Sequence, residues 1–260
     1  MPFQNQLTLE QIQLPIPDLP ESLDGFKIVQ LSDLHYLPFT KLDLIEKAVA
    51  QVATRKPDLV VLTGDFVTHE AETIFGAVQT LSRLNAKYGV FAVLGNHDVR
   101  SGARIVRQGI EEAGISVLHN CGFTFDVGNS RLNLAGVDDC IWGHPDIHAA
   151  LAPLAPRIPT LLLAHEPDVI DDFSEVGPIT LQLSGHTHGG QVRLPLLGTP
   201  VLPKLGEKYV QGLHRVNNSW LYTNRGLGMV SMPIRFNCPP EITEIILTAP
   251  SDRRSDNVLS

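Results

Sequence analysis

Two histidines stand one residue apart in the stretch SGHTHGG, residues 184 to 190. The stretch comes directly after the apolar run TLQL, so His186 and His188 lie where a predicted strand ends. Neutral imidazole is the commonest metal ligand among side chains, and glycines allow a loop to approach an ion closely. For one such pair alone, a polar turn is the alternative. The choice between a turn and a metal site therefore depends on which residues end the other predicted strands.

Polar clusters of the same kind end four other apolar segments. In chain order they are LSDLH, TGD, LGNHD and LAH. Ligands of open α/β sheets bind at the carboxyl ends of the strands, so these side chains are expected to converge on one crevice. The side chains expected there are Asp33, His35, Asp65, Asn96, His97, His165, His186 and His188. Half-buried carboxylates and imidazoles cost free energy unless they are paired or bound to metal, so the sequence predicts a metal site.

The segments that carry these clusters alternate between strand and helix patterns. Their periodicity predicts strands over residues 26–32, 58–63 and 89–94, and helices over residues 41–56, 71–86 and 104–113. Strands separated by helices predict a largely parallel sheet. From residue 115 the pattern changes to short strands, with a hairpin around Gly128 and Asn129, which predicts a second sheet. Further strands are predicted over residues 160–165, 179–186, 221–226 and 241–248.

Length and composition limit the classes of protein that this chain can represent. With 260 residues, 43% of them hydrophobic, the chain is predicted to form a single domain over residues 1–260. Residues 1–20 are expected to be an extended lead-in, and residues 250–260 a disordered tail. A formal charge of -8 argues against a nucleic-acid polymer as partner, because phosphate contacts need clustered Lys and Arg. Three widely spaced cysteines predict neither disulfides nor a zinc-thiolate site.

The opening residues bear on localisation. The first twenty contain no Lys or Arg and no continuous apolar run, so they resemble neither a signal peptide nor a membrane span. A soluble, cytoplasmic protein is therefore expected. Peripheral contact with a membrane is the alternative that the sequence leaves open.

The order of the polar blocks, DxH, GD, GNHD, H and GHTH, resembles the calcineurin-like metallophosphoesterase superfamily. All five blocks are present, from Asp33 to His188. The resemblance implies an α/β fold, a four-layer α/β/β/α sandwich of two mixed sheets flanked by helices. It also implies a dinuclear metal site at the strand ends.

The same resemblance implies two divalent metal ions that share one bridging ligand. Carried over by motif, the ligands of the first ion would be Asp33, His35 and His188, those of the second Asn96, His165 and His186, and the bridging ligand Asp65. Mixed nitrogen and oxygen ligands without thiolate suit Mn²⁺, Fe or Zn²⁺, and the sequence leaves that choice open.

The implied activity is the hydrolysis of a phosphoester by a metal-dependent enzyme. Two cations roughly 3.5 to 4 Å apart can clamp a phosphoryl group and lower the pKa of a bridging water, so that hydroxide attacks phosphorus in line. His97 is left over from the ligand set, and in such enzymes it sits beside the metals as an acid. It would protonate the departing oxygen or stabilise its charge, while Asp98, next to it in sequence, would orient its imidazole.

Three further stretches resemble the YkuE/YaeI-type phosphodiesterase subgroup, which is related to the UDP-2,3-diacylglucosamine hydrolases. They are PDLPESLDGFKIVQLSDLH, SGHTHGGQVRLPLLG and NRGLGMVSMPIRFNCPPEIT. The resemblance implies a bacterial enzyme for a phosphodiester or pyrophosphate bond. Its substrate would be a small-molecule or lipid-linked phosphoester such as UDP-2,3-diacylglucosamine, a compound of lipid A biosynthesis. Members of that subgroup often begin with a hydrophobic anchor or a twin-arginine signal, which this chain does not show.

The apolar segment after the histidine pair, residues 194 to 213, has two interpretations. It is either an ordinary packed loop, or a wall on which an acyl chain or a membrane surface rests. In the second case Lys204 and Lys208 would contact phosphates.

Two other functions stay open as alternatives. One is a general phosphodiesterase for small molecules or nucleotides, because the negative net charge of the chain disfavours only long polyanions as substrates. The other is a non-catalytic metal-binding scaffold, which the intact ligand set and His97 disfavour. No feature of the sequence indicates an obligate protein partner.

Overall fold

The computed structural model describes residues 6–250. Residues 1–5 of the predicted lead-in and residues 251–260 of the predicted tail lie outside the described residues. The described part contains twelve strands and five α-helices. The strands are β1 (Thr8–Pro15), β2 (Lys27–Leu31), β3 (Leu59–Thr63), β4 (Val90–Val93), β5 (Ser116–Val117), β6 (Cys121–Val127), β7 (Ser130–Gly136), β8 (Thr160–Leu163), β9 (Leu181–Ser184), β10 (Gly212–Val216), β11 (Ser219–Thr223) and β12 (Glu241–Thr248). The helices are α1 (Leu42–Arg55), α2 (Val78–Leu81), α3 (Asn96–Glu112), α4 (Ile147–Leu151) and α5 (Ile170–Val176).

The strands form two six-stranded sheets. The first has the order β1-β12-β2-β3-β4-β5, and the second has the order β10-β11-β9-β8-β7-β6. Each sheet is mixed. In the first, the neighbouring strands β2, β3, β4 and β5 are parallel, and β12 pairs antiparallel with β2. In the second, the neighbouring strands β11, β9, β8 and β7 are parallel, and the edge strands β10 and β6 pair antiparallel with β11 and β7. The carboxyl ends of β2, β3 and β4 in one sheet therefore meet those of β8 and β9 in the other.

Alternate side chains of the central strands face different apolar cores. In β3, Leu59 and Val61 join the core between the sheets, whereas Val60 and Leu62 face α1, α2 and α3. On the second sheet, α4 and α5 cover the outer face around Ile170. Strands buried on both faces need nearly continuous apolar sequences, which explains runs such as LVVL and TLLL. The two mixed sheets with flanking helices confirm the predicted fold class, while the single-domain assignment stays a prediction.

The predicted helix over residues 71–86 is only partly right. The chain forms a 3₁₀-helix over Ala71–Gly76, which leads into the single turn of α2. The buried side chains Ala71, Ile74 and Ala77 recur every three residues. A 3₁₀-helix has three residues per turn, so side chains three residues apart lie directly above one another. The same spacing also fits one face of an α-helix, so the apolar pattern alone does not distinguish the two helix types.

Three other elements differ from the sequence-based expectation. The lead-in contains β1, whose pairing with β12 across more than two hundred residues gives no local pattern. The hairpin strand β10 was also missed. Helix α3 begins at Asn96, inside the GNHD block, and its break at Gly102, with φ 143°, separates the motif from the predicted helix over 104–113.

Two further expectations concern cysteines and membrane spans. All three cysteines are free, and they range from the exposed Cys121 to the buried Cys238. Among residues 6–250, no helix is long and apolar enough to cross a membrane.

Candidate metal centre

The candidate ligands lie on sharp turns directly after the strands. Asp33 and His35 come after β2, Asp65 after β3, and His186 and His188 after β9. All five have positive φ, between 43° and 71°. A positive φ is uncommon for residues other than glycine and costs of the order of 1 kcal/mol or more, and such residues cluster at functional sites. The turns therefore hold these side chains in place at a cost in stability.

Glycines in the motifs allow the loops to approach one another closely. A Cβ on Gly185 would lie 2.2 Å from Asp33 Oδ2 and 1.9 Å from Ser32 Oγ. A Cβ on Gly64, which has φ 95°, would lie 2.6 Å from His165 Nδ1. Neither position has room for a side chain, so the glycines of the TGD and SGH blocks bring the ligand-bearing turns together.

The predicted ligands converge in two main groups of carboxylate and imidazole side chains. One group is Asp33, His35 and His188, and the other is Asp65, His165 and His186. In each group the ligand atoms lie within 4.8 Å of one another. A third combination at the same distance, His35, Asp65 and His97, joins the two. The described residues thus hold adjacent groups that could bind two metal ions.

Asp65 lies between the two groups. Its Oδ2 is 3.3 Å from His35 Nε2 on one side and 3.3 Å from His165 Nε2 on the other. Its Oδ1 accepts a 2.8 Å hydrogen bond from the backbone N–H of His97. One carboxylate oxygen is therefore anchored to the protein, while the other faces both imidazoles.

Unpartnered nitrogen atoms fit this chemistry. Nε2 of His35 and Nε2 of His165 are buried and have no hydrogen-bond partner among the residues that the structure describes, because their approach to Asp65 lacks hydrogen-bond geometry. Buried polar atoms without a partner are rare and need an explanation. A cation between these imidazoles and the Asp65 carboxylate would satisfy both nitrogens. The residues present thus fit a metal centre without thiolate ligands.

The imidazoles of the histidine pair are neutral at physiological pH. Burial, together with the charge of His165, lowers the pKa of His186 to about 4. Burial, together with His35 and Arg235, holds the pKa of His188 well below 6.5. Neutral imidazole is the form that binds metal. Burial opposes the charge on Asp65, yet the neighbouring His165 and His35 hold its pKa well below 3.8, so it is the carboxylate.

His186 uses its two nitrogens in different ways. Nε2 lies 2.8 Å from the carbonyl oxygen of Lys204, to which it donates, and Nδ1 lies 3.0 Å from Asn96 Oδ1. Nδ1 is therefore the nitrogen that is available to a cation shared with the Asn96 amide oxygen.

His97 stands beside the two groups. Its ring contacts that of His35 edge to face at 4.8 Å, and its Nδ1 lies 2.8 Å from the carbonyl oxygen of Thr68, to which it donates. Burial lowers the pKa of His97. Nε2 is therefore the ring nitrogen left for proton transfer.

Asp98 acts on the backbone. Its carboxylate accepts hydrogen bonds from the N–H groups of Phe66, Val67 and Gly95, at 2.8 to 3.1 Å. Burial, together with the charge of Asp65, raises the pKa of Asp98 to about 7. The bonds tie the turn after β3 to the start of α3. The contact that orients the His97 ring comes from Thr68, so the influence of Asp98 on that ring stays a prediction.

Two residues near His97 were not found from the sequence. The exposed Arg100 places Nη2 3.2 Å from His97 Nδ1, and the ring of His69 is 6.2 Å from that of His97. Arg100 is one helical turn after His97 in α3, so its i+3 spacing was the available indication. No pattern in the sequence links His69 to this site.

The segment after the histidine pair agrees only in part with the expectation. Lys208 and Tyr209 bind Asp171 of α5, at 2.7 and 2.8 Å, so the Lys208 ammonium group is paired with a carboxylate and its contact with phosphate stays a prediction. The Lys204 carbonyl, rather than its ammonium group, reaches His186. Backbone amides of residues 207–209 bind Asp168, which lies just ahead of α5 and fixes this end of the segment there.

A cleft of about 320 Å³ opens over the polar groups. Its lining includes the polar side chains of Asp65, Asn96, His97, His186 and His188. It also includes a set of apolar residues, Val192, Pro200, Val201, Leu202, Pro203, Val230 and Met232. The volume lies in the range typical of small-molecule sites.

A two-sheet α/β sandwich with adjacent Asp and His groups at its strand ends defines a metal-dependent phosphoester hydrolase. The chain belongs to the calcineurin-like phosphoesterase family, whose model matches residues 26–190. It is 36% identical over 238 residues to the uncharacterized metallophosphoesterase YkuE of Bacillus subtilis, covering 88% of this chain and 81% of that protein. It is 38% identical over 226 residues to phosphodiesterase YaeI of Escherichia coli, covering 85% and 82%.

Solved structures support the fold. The NAD nucleotidase of Haemophilus influenzae superimposes with a TM-score of 0.51 at 15% identity, over 78% of this chain and 45% of that one. At this identity the likeness concerns the fold alone.

Proposed function

We propose that the chain hydrolyses a phosphodiester or pyrophosphate bond in a lipid-linked substrate of the UDP-2,3-diacylglucosamine type. The observation that supports this proposal is the composition of the cleft, whose lining contains both metal-type side chains and apolar side chains, the latter forming an apolar wall. The metal-type side chains suit a phosphoryl group. The apolar wall suits an acyl chain, since each buried methylene contributes about 0.8 kcal/mol.

In this proposal two divalent cations would be held by seven residues, with Asp65 as the ligand that they share. Asp33, His35 and His188 would hold one cation, and Asn96, His165 and His186 would hold the other. When bound, two such cations neutralise phosphoryl oxygens and lower the pKa of the attacking water. The donor set of nitrogen and oxygen atoms suits manganese, iron or zinc.

Groups of the protein itself orient the imidazoles and transfer the proton. The two carbonyl oxygens that accept from His165 and His97 fix which ring nitrogen faces the cleft. In its imidazolium form, His97 keeps its Nδ1–H bond to Thr68 and gives the Nε2 proton to the departing oxygen, which leaves the imidazole neutral. The apolar wall at Val201 and Met232 keeps water away from the part of the substrate that does not react.

The test compares two substrates with the purified, manganese-loaded protein. Hydrolysis of UDP-2,3-diacylglucosamine is expected to exceed that of bis(p-nitrophenyl) phosphate in kcat/KM. Val201→Asp, which places a charge in the apolar wall, should raise KM for the lipid-linked substrate about tenfold and leave the soluble diester unaffected.

Val176→Asp is the matched control, because Val176 is an exposed apolar residue at the end of α5, at the opposite edge of the second sheet. If the wild-type protein hydrolyses the soluble diester at least as efficiently as the lipid-linked substrate, the lipid proposal fails. A general phosphodiesterase then takes its place.

A further inference from the structure

Large apolar side chains stand exposed beside the cleft. Leu196 is fully exposed, Leu197 is 80% exposed and Val201 is 77% exposed, and Met232 and Ile234 are nearly half exposed. Together these five residues form the apolar rim. Single exposed apolar residues are ordinary on protein surfaces, whereas a contiguous patch next to a site marks an interaction surface.

The tip of the apolar rim is held in place by backbone hydrogen bonds. Leu194 and Gly198 exchange two of them, at 2.8 and 2.9 Å, which closes a tight turn around Leu196 and Leu197. Leu196 has φ 68°, a conformation that is costly for leucine. The leucines therefore point away from the protein because the turn requires it, rather than because a loop failed to pack.

The apolar rim comes from two segments, residues 194–203 and 226–234, and both are attached to the loop that follows β9 and bears His186 and His188. The turn packs against it at Gly190, where a Cβ would lie 2.0 Å from Thr199 Cγ2. The second segment is bound by the Gln191 side chain, which donates to the carbonyl oxygens of Val230 and Met232 and accepts from the Val230 N–H. Val201 and Met232 also line the cleft. The rim is thus continuous with the site.

The charges around the apolar rim differ from those of the rest of the chain. The chain carries a formal charge of -8, yet residues 194–203 and 226–234 contain no Asp, Glu, Lys or Arg. The first of these segments lies between Arg193 and Lys204, and Lys204 is exposed and forms no ion pair with any residue from 6 to 250. A protruding apolar tip bordered by cations complements a surface of acyl chains under anionic headgroups.

We infer that the apolar rim docks this protein on a lipid bilayer that contains anionic lipid, with Leu196 and Leu197 inserted and Lys204 at the headgroups. The inference rests on the proposed function and deepens it, because the docked orientation opens the cleft toward the layer in which a lipid-linked substrate resides. The projecting shape of the turn favours a bilayer over a second protein surface, which would have to accommodate it in a matching groove.

The experiment measures co-sedimentation with vesicles of phosphatidylcholine, with and without phosphatidylglycerol. The wild-type protein should bind the vesicles that contain phosphatidylglycerol and bind pure phosphatidylcholine more weakly. The double variant Leu196→Asp and Leu197→Asp should lose at least about tenfold in affinity, since each substitution removes an apolar side chain that the bilayer would bury. Lys204→Glu should lose about fivefold, and only with the anionic vesicles.

Two controls separate this inference from the proposed function. Val176→Asp should bind vesicles as the wild type does. The double variant should hydrolyse bis(p-nitrophenyl) phosphate at the wild-type rate, which shows that it is folded and loaded with metal. Hydrolysis of the lipid-linked substrate without vesicle binding would overturn the docking inference alone, and vesicle binding without that hydrolysis would overturn the substrate proposal alone.

A second copy of the chain is the other occupant that the experiment can detect. Sedimentation velocity is expected to give the same species for the wild type and the double variant. A wild-type dimer that becomes a monomer in the double variant, together with absent vesicle binding, would show that the apolar rim is covered by another copy and would overturn the inference.

Discussion

His165 Nδ1 donates a 2.6 Å hydrogen bond to the carbonyl oxygen of Thr63, the last residue of β3. This bond directs Nε2 at Asp65 Oδ2. Burial opposes a charge on His165, yet the Asp65 carboxylate holds its pKa well above 6.5, so a cation that binds Nε2 displaces a proton. The backbone of the first sheet thereby orients a side chain that comes from the second sheet. The candidate metal centre consequently depends on how the two sheets are stacked.

His165→Ala is expected to lower the metal content from two ions toward one per chain. The change removes an imidazole ligand from only one of the two groups. Elemental analysis of the purified protein measures the stoichiometry. His119→Ala, which alters a half-exposed imidazole outside both groups, should keep two ions, and an unchanged content in His165→Ala would contradict the assignment.

Asp65→Ala should lower the occupancy of both ions, in contrast to His165→Ala. Its Oδ2 lies 3.3 Å from an imidazole of each group, so the substitution removes the shared ligand and leaves the two cations without a carboxylate between them. Titration with manganese, monitored by calorimetry, should show both binding steps weakened by at least about tenfold. Weakening of one step alone would place Asp65 in a single group.

His97→Ala should keep the metal content and slow turnover. The loss is expected to be about 10²- to 10⁴-fold for a substrate with an alkoxide leaving group, the usual range for general acid catalysis. p-Nitrophenolate leaves with little help from a proton, so its release should be slowed much less. Equal losses for both leaving groups would indicate that His97 binds the phosphoryl group without transferring a proton.

Glu244→Gln should destabilise the fold in a pH-dependent way. The buried Glu244 carboxylate accepts two hydrogen bonds from Arg55, at 2.8 and 2.9 Å, and these hold its pKa below 4.5. A depressed carboxyl pKa stabilises the folded state above that ordinary value, and the contribution is lost as the pH falls through the folded value. The variant should therefore lose about 2 kcal/mol of unfolding free energy at neutral pH.

Denaturant unfolding at several pH values measures this effect. The difference between wild type and Glu244→Gln should shrink below pH 4.5. Asp43→Asn, which removes the acid of an exposed pair with Lys47, should change stability little at any pH. A difference that stays constant with pH would mean that lost packing, rather than charge, explains the effect.

The sequence predicted the ligand-bearing strand ends because each apolar run stops at a polar block. Parallel strands then require those blocks to share one edge, so the pattern alone could bring His35 and His186 together. The contact between His186 and Lys204 could not be predicted. Lys204 accepts through its backbone carbonyl oxygen, a group that every residue has, so no side-chain pattern marks it.

Long-range contacts account for the other misses. Arg235 is buried and binds the carbonyl oxygens of Arg225, Gly226, Gly228 and Cys238, which shapes the loop beside His188. In the sequence it is one arginine between apolar residues and gives no indication of burial. Similarly, β1 has an irregular apolar pattern because it is an edge strand, and its existence depends on a partner at the other end of the chain.

The parallel pairing of β1 with β12 determines where each end of the described chain emerges. Thr8 pairs with Glu241 and Pro15 with Thr248, and β12 runs opposite to β2, whose carboxyl end bears Asp33. Residue 6 therefore lies at the edge that carries the cleft, and residue 250 at the other. A fluorophore attached at residue 6 would therefore share the edge of the sandwich that carries the cleft, whereas one attached at residue 250 would report on the opposite edge.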